Sequence, residues 1–365
     1  MKRVVSVVGA RPNFMKVAPI DRAFKKYSDK VEHLIVHTGQ HYDAKMSDAF
    51  FQDLEMPEPA VFLGIGSGSH ADQTAKVIMG FEKVCLDLKP DLVIVVGDVN
   101  STIACTLTAV KLEIPVAHVE AGLRSGDRKM PEEINRLATD AICDYCFVTE
   151  ESGMKFLKES HFPEDKTFFV GNTMIDSQHF ALAKAEESNV LKEIGIEAGK
   201  YVLVTLHRPS NVDEPEQLQT VLKVLAELSQ HRAVVFPVHP RTRKNIESFG
   251  LNELLKNVHF IDAQGYIDFL ALMKNADFVL TDSGGIQEET TALKIPCITV
   301  RTTTERPVTC EIGTNILIEP TADAMKTAID NMLNKPRKAG AIPPMWDGRA
   351  AERITEIIVS QILNV

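Results

Sequence analysis

Short, continuously apolar runs rich in Val and Ile alternate with amphipathic segments along the whole chain, and the alternation begins again near its middle. Runs at 4–9, 34–38, 92–97, 116–120, 145–149 and 167–171 form a first set. Runs at 201–206, 234–239, 259–262, 278–281, 297–300 and 315–318 form a second. A strand that is apolar on both faces must be covered on both, which parallel sheets flanked by helices achieve. The segments between carry helical periodicity, as at 72–86 and 102–112. The clearest is 216–230, where Leu218, Val221, Leu222, Leu225 and Leu228 fall on one stripe. Two successive strand–helix sets predict an α/β protein of two doubly wound, Rossmann-like domains. The first is expected over 1–171 and the second over 172–348, with a crossover near 171–176. A linker at 336–348 with Pro336, Gly340, Pro343 and Pro344 leads to a last helix at 349–363. Residues 349–365 are expected to pack back on the first domain.

At 365 residues the chain is long for one domain and natural for two. Its net charge of −10 argues against a nucleic-acid partner, because no basic stripe exists to displace counterions from phosphates. The cluster Arg241, Arg243 and Lys244 is too short to change that. An anionic small molecule would need a few well-placed cations instead. No apolar run approaches the ~20 residues of a membrane span. The apolar N-terminal stretch is too short for a secretion signal and reads as a first strand, so a cytoplasmic location is expected. The six cysteines show no disulfide spacing. Cys143 and Cys146 have a redox-motif separation, and His37 with His41 invites a metal, but buried thiols are the stronger reading.

Function points to the loops that follow strands, since open parallel sheets bind ligands beyond their carboxyl ends. Thr281-Asp282-Ser283-Gly284-Gly285-Ile286-Gln287-Glu288-Glu289 is a strand end, a turn of small residues and a helix start. Ser283, Gly284 and Gly285 should offer uncovered backbone N–H groups to a phosphate there, with the helix dipole adding to the attraction. Glu288, one turn in, could reach vicinal hydroxyls. Ser-Gly-Gly alone is as often a mere tight turn. Arg11 and Lys16 follow strand one and supply cations; a G-x-G-x-x-G fingerprint is missing from that loop. Gly64 to Gly68 is glycine-rich but follows no expected strand, and reads as a mobile loop. Asp98 ends a strand and serves equally as an acid or a helix cap. Glu120 ends another, where no cap explains it, and Glu132 opens a helix whose dipole alone would favour an acid. Three acids on neighbouring loops suit proton transfer near neutral pH. His207 and His239 leave strands of the second half, where each is either a solvated histidine or a partner for a diphosphate. These residues come from both halves, so the site is expected in the cleft between domains.

Taken together, Gly9-Ala-Arg-Pro12, Gly97-Asp98 with Asn100-Ser101-Thr102, His118-Val-Glu-Ala-Gly-Leu-Arg124, Pro131-Glu-Glu-Ile-Asn-Arg136, His207-Arg208 and Asp282-Ser-Gly-Gly-Ile-Gln-Glu-Glu289 resemble the non-hydrolysing UDP-N-acetylglucosamine 2-epimerases. The resemblance spans nearly the whole chain, with the motifs in the same order. It implies the glycosyltransferase-B architecture, UDP held by the second domain, a homodimer, and no metal or nicotinamide. It implies loss of the C2 proton as UDP leaves C1, then return of UDP with protonation from the opposite face. Asp98, Glu120 and Glu132 would be the acid/base set and His207 would assist the diphosphate. Arg11, Lys16, Arg136, His239, Ser283, Gly284, Gly285, Glu288 and Arg306 would bind substrate.

The pattern departs from the family in places. Members acting on UDP-N-acetylglucosamine often read Thr-Ala-Gln-His-Arg after strand two and Trp before Pro-Glu-Glu. Here the text is Thr38-Gly39-Gln40-His41-Tyr42-Asp43 and Lys129-Met130. Asp43 and Asp72 stand where bacterial members with a regulatory second site carry Gln and Arg. The Gly-Gln-His variant also resembles the branch acting on UDP-2,3-diacetamido-2,3-dideoxyglucuronate, where Arg124, Arg128 or Lys129 would meet a carboxylate. A glycosyltransferase and a non-catalytic nucleotide-sugar binder are further readings, because a shared fold does not decide function.

Overall fold

The computed structural model describes residues 1–40 and 51–365, so His41, Tyr42 and Asp43 lie outside the described residues. The chain forms two compact units, Met1–Phe180 with Pro344–Val365, and Ala181–Pro343. The first holds β1 (Lys2–Val8), β2 (Val31–His37), β3 (Val61–Phe62), β4 (Leu92–Val96), β5 (Val116–Ala121), β6 (Tyr145–Val148) and β7 (Thr167–Phe169). They form one sheet in the order β3-β2-β1-β4-β5-β6-β7, each neighbour parallel. The second holds β8 (Tyr201–Thr205), β9 (Ala233–Val238), β10 (His259–Asp262), β11 (Phe278–Thr281), β12 (Cys297–Val300) and β13 (Asn315–Ile318). Its order is β10-β9-β8-β11-β12-β13, again all parallel.

The apolar runs fold this way because helices cover both faces. In the second unit, helix Pro215–Leu228 buries Leu218, Val221, Leu222, Val224, Leu225 and Leu228 against Val202, Val204, Val234 and Phe236. Each such side chain contributes roughly 2 kcal/mol by leaving water. In the first unit, Val77, Phe81, Val84 and Cys85 of helix His70–Leu88 pack with Val93, Val95, Ala104 and Cys105.

Some expectations need correction. The helix expected at 72–86 runs His70–Leu88, because Ser69 caps it by accepting from Asp72 N at 3.2 Å. The glycine-rich loop does follow a strand, β3, which two half-covered residues were too short to announce. That loop is also pinned: Ile65 N donates to Thr38 O at 3.0 Å and Gly66 N to Gly39 O at 2.9 Å. Asp72, which stands where members with a regulatory second site carry Arg, pairs with Lys76 at 2.8 Å on its own helix. The last helix, Ala350–Ile357 with a π turn at Ile358–Ile362, belongs to the first unit. Asp176 accepts from Ala350 N at 3.2 Å and Ala351 N at 2.7 Å, and burial pushes its carboxyl up to about 6. Trp346 Nε1 donates to Thr149 O at 2.9 Å, which ties down the approach to that helix.

Candidate active site

A doubly wound sheet opens a crevice at the carboxyl ends of its strands where strand order reverses. In the first unit that point lies between β1 and β4, and in the second between β8 and β11. Arg11 and Lys16 follow β1, Asp98 follows β4, His207 follows β8 and Ser283 follows β11. Each unit therefore carries some of its candidate residues at its own reversal point, while Glu120 on β5 and His239 after β9 lie on the adjoining strands.

In the first unit, Asn13 closes the turn after β1. Its Oδ1 accepts from Gly9 N and Ala10 N at 3.0 Å each, and its Nδ2 donates to Val96 O at 3.2 Å. Arg11, half-buried, opens helix Arg11–Phe24. Lys16, one turn later, is only 5% exposed, and its Nζ sits on Glu120 Oε2. Glu120 is buried too, with a left-handed backbone, φ 74°, at the place where the β5–β6 register shifts. A non-glycine residue in that conformation costs of order 1–3 kcal/mol and persists only where its surroundings over-determine it. The bulge re-aims the carboxylate off the strand face.

Asp98 is not a cap. Helix Asn100–Lys111 starts after Val99 with no side-chain cap, and the Asp98 carboxylate meets Arg136 Nη1. Arg136 is held from behind by Glu133, with Nη2–Oε2 at 2.8 Å. Burial alone would raise the Glu133 carboxyl, but the Ser125 N–H and the Arg136 guanidinium outweigh it and hold it low. Glu132, by contrast, is exposed and makes no hydrogen bond or ion pair among the described residues. Asp98 and Glu120 are thus each paired with a cation, an arrangement of acid–base pairs rather than bare acids.

His118, Asp140 and Cys143 bring possible metal-ligand atoms within 4.8 Å of one another. Asp140 is already paired with Arg124 at 2.7 Å, and Cys143 Sγ lies 3.5 Å from Cys146 Sγ. Contact with Cys143 and burial push the Cys146 thiol far up, away from the thiolate that metal or redox chemistry uses.

In the second unit, Ser283 is the N-cap residue of helix Gly284–Leu293. One expectation is corrected here: the Ser283 N–H is covered, donating to Thr281 Oγ1 at 3.0 Å. The helix geometry leaves the N–H groups of Gly284 and Gly285 without intrahelical acceptors. Beneath them Asp282, fully buried, accepts from His207 N, Arg208 N at 2.9 Å and Asn211 Nδ2 at 3.0 Å. Burial would raise Asp282, yet these donors and His207 Nδ1 at 3.1 Å keep it low. The His207 side chain itself is 45% exposed. His239 is exposed and caps helix Pro240–Ser248 by accepting from Arg241 N at 3.3 Å, its ring 6.3 Å from that of His207.

Glu288 and Arg306 are buried together, Oε1 to Nε at 2.8 Å, and Arg306 Nη1 reaches Glu305 Oε1 at 2.6 Å. Arg301 holds the other Glu305 oxygen at 2.8 Å. Burial opposes the charge on Glu305, but Arg306 and Arg301 keep its carboxyl well below the usual range. A Cβ on Gly284 would lie 2.9 Å from Glu305 Oε1 and 3.1 Å from Arg306 Nη1. Only glycine fits.

Glu289, next to Glu288, accepts from Tyr266 OH at 2.7 Å, and burial pushes it up to about 7. A folded value above the ordinary 4.5 means stability is lost as pH rises between about 4.5 and about 7. Glu289→Gln keeps an acceptor for Tyr266 and cannot ionise. It is expected to raise the thermal midpoint by several degrees at pH 8, corresponding to about 3 kcal/mol, and to leave it unchanged at pH 4. Equal midpoints at pH 8 would refute the buried-acid assignment.

Sequence reasoning missed Asn13, Asp140, Asp282 and Glu305. A readable signal existed for one group: Glu133, Arg136 and Asp140 recur at helical spacing on helix Pro131–Ile142 and are all buried. Charged residues sharing a face at i, i+3 and i+7 mark a polar site built into a core.

The family model described as UDP-N-acetylglucosamine 2-epimerase matches residues 23–359. The UDP-N-acetylglucosamine 2-epimerase of Methanocaldococcus jannaschii is 43% identical over 361 residues, 96% of this chain and 97% of that protein. The UDP-2,3-diacetamido-2,3-dideoxy-D-glucuronate 2-epimerase of Pseudomonas aeruginosa is 38% identical over 363 residues, 98% and 99% of the two chains. The crystal structure of the M. jannaschii UDP-GlcNAc 2-epimerase in complex with UDP-GlcNAc and UDP matches with a TM-score of 0.90 and 44% identity, over 98% of this chain and 99% of that one. Two Rossmann-like units of this kind make a glycosyltransferase-B fold. With likeness of this depth over nearly its whole length, the chain belongs to the UDP-N-acetylglucosamine 2-epimerase family.

Proposed function

We propose that the protein is an isomerase that interconverts UDP-N-acetylglucosamine and UDP-N-acetylmannosamine at C2. The observation that carries the chemistry is Glu120, a buried carboxylate in a left-handed backbone at a strand end, paired with Lys16. The second unit binds UDP through Ser283, Gly284 and Gly285, with His207 and His239 beside the diphosphate and Arg306 with Glu288 supporting the helix. In the first unit Asp98, Glu120 and Glu132 move protons, and Arg11, Lys16 and Arg136 orient substrate and acids.

One carboxylate takes the C2 proton, the C2–H electrons form the C1=C2 bond, and UDP leaves with the C1–O electrons. UDP oxygen then returns to C1 while a second carboxyl group delivers a proton to the other face of C2. Each turnover leaves one acid protonated and the other deprotonated, and exchange with water resets both.

The uronate alternative loses one of its three candidate cations. Arg124 is paired with Asp140 at 2.7 Å and stacked 4.1 Å from the Phe156 ring, which leaves the exposed Arg128 and Lys129. Proton NMR of the enzyme with each sugar nucleotide tests the choice. Conversion of UDP-N-acetylglucosamine is expected, and turnover of the diacetamido-uronate alone would overturn it.

We also propose a homodimer formed through the first unit. Met79 and Leu86, 59% and 57% exposed, lie seven residues apart on one face of helix His70–Leu88, and Leu107, 38% exposed, lies on helix Asn100–Lys111, which packs against it. Clustered apolar side chains of this size mark an interface. Light scattering should give twice 40.4 kDa, and Met79→Lys with Leu86→Lys should give the monomer. A wild-type mass of 40.4 kDa would sink the dimer. No helix among the described residues is long and apolar enough to cross a membrane. All six cysteines are unbridged, which supports a reducing compartment such as the cytoplasm.

A further inference from the structure

Two left-handed turns carry the acids of the first unit, and one buried pair ties both. Gly97, φ 65°, precedes Asp98, and Gly122, φ 81°, follows Glu120. The Gly97 carbonyl can only accept, so His118 Nε2 donates to it, at 2.8 Å. His118 Nδ1 lies 2.6 Å from Asp140 Oδ1, and Asp140 Oδ2 accepts from Gly122 N at 3.0 Å. Both side chains are buried, His118 completely. Arg124 closes the far side, 2.7 Å from Asp140 Oδ2 and stacked over Phe156. Burial opposes the Asp140 charge, but His118 and Arg124 outweigh it.

We propose that His118 and Asp140 are positioning residues that set the separation of the Asp98 and Glu120 carboxylates. The inference rests on the reading of those two acids as proton carriers. The chain Gly97 O–His118–Asp140–Gly122 N spans strands β4 and β5 and the start of both loops. A backbone held in the left-handed region at Glu120 relaxes unless its neighbours restrain it. Val119 O, accepting from Gly97 N at 3.0 Å, restrains it on one side, and Gly122 N on Asp140 restrains it on the other. Proton transfer tolerates little error, since a displacement of about 1 Å costs on the order of 100-fold in rate.

Two isosteric changes separate the links. The amide nitrogen of Gln replaces Nε2 and that of Asn replaces Nδ1. His118→Gln therefore keeps the bond to Gly97 O, while Asp140 still holds Gly122. His118→Asn keeps the Asp140 contact and releases Gly97. The expected result is a kcat lowered ~100-fold in His118→Asn and within ~5-fold of wild type in His118→Gln. KM and UDP affinity should stay within ~3-fold of wild type in both, because UDP is held by the other unit. Incorporation of solvent deuterium at C2 should fall in step with kcat. Wild-type kcat in His118→Asn, or equal losses in both variants with KM moving alongside, would overturn the proposal. Should His118→Asn fail to fold, Asp140→Asn poses the same question at the Glu120 turn, with the same split expected. Asp98→Asn run in parallel separates the failures: if it turns over normally, the acid assignment is wrong, and if it alone is dead, the positioning role is wrong.

Discussion

Asp98→Asn is expected to abolish epimerisation and C2 hydrogen exchange together while leaving UDP binding intact. A carboxamide cannot take the C2 proton, and a positioned acid or base contributes about 10²–10⁴-fold, so kcat should fall by at least ~10². The substitution preserves the size of the group facing Arg136 and removes only its charge and basicity. In D2O the wild-type enzyme should return sugar nucleotide deuterated at C2 with UDP still attached at C1, because carboxyl protons exchange quickly with solvent. A glycosyltransferase would leave C2–H untouched, and a hydrolysing epimerase would release free sugar. Interconversion of the two sugars with C2 hydrogen fully retained would end the elimination mechanism, and the roles of Asp98, Glu120 and Glu132 with it.

Gly284→Val should cost at least ~100-fold in UDP affinity, close to 3 kcal/mol, measured by titration calorimetry. A side chain there meets Glu305 and Arg306 on one side and the expected phosphate on the other. Gly285→Val should do likewise by filling the phosphate position. Ser283→Ala should weaken UDP only modestly, since it removes one hydroxyl and leaves the backbone N–H groups of Gly284 and Gly285 in place. Thermal unfolding of each variant checks that the Glu305–Arg306 pair has not been broken. A folded Gly284→Val protein that binds UDP normally would remove the cradle from this account.

The strand runs were legible because each is apolar on both faces, and their boundaries in the structure differ by at most three residues. β3 was not, since Val61 and Phe62 are too few to show alternation and Phe62 is 48% exposed. The turns bearing Arg11, Asp98, Glu120, His207 and Ser283 were legible because short polar motifs interrupt apolar strands at the end where loops bind ligands. Their partners were not. Lys16 meets Glu120, and Asp98 meets Arg136, only because β1, β4 and β5 are neighbours and helix Pro131–Ile142 follows β5. Pairings of that separation depend on strand order, and local pattern carries no record of it.

What the sequence determined by itself was the number and type of elements, their grouping into two doubly wound sets, and the motifs that mark the family. These follow from local physics: covered strands need apolar faces, helices need a stripe, and tight turns need small residues. Only the tertiary structure decided the state of the charged groups. It made Lys16 and Arg136 partners of acids, left Glu132 in solvent, buried Glu288 on Arg306 and engaged Arg124 with Asp140. It also put Glu120 in a left-handed backbone that no residue type announces. Charge and strain are settled by what surrounds a group in space, and those surroundings come from residues far apart in the chain, as Lys16 and Glu120 are.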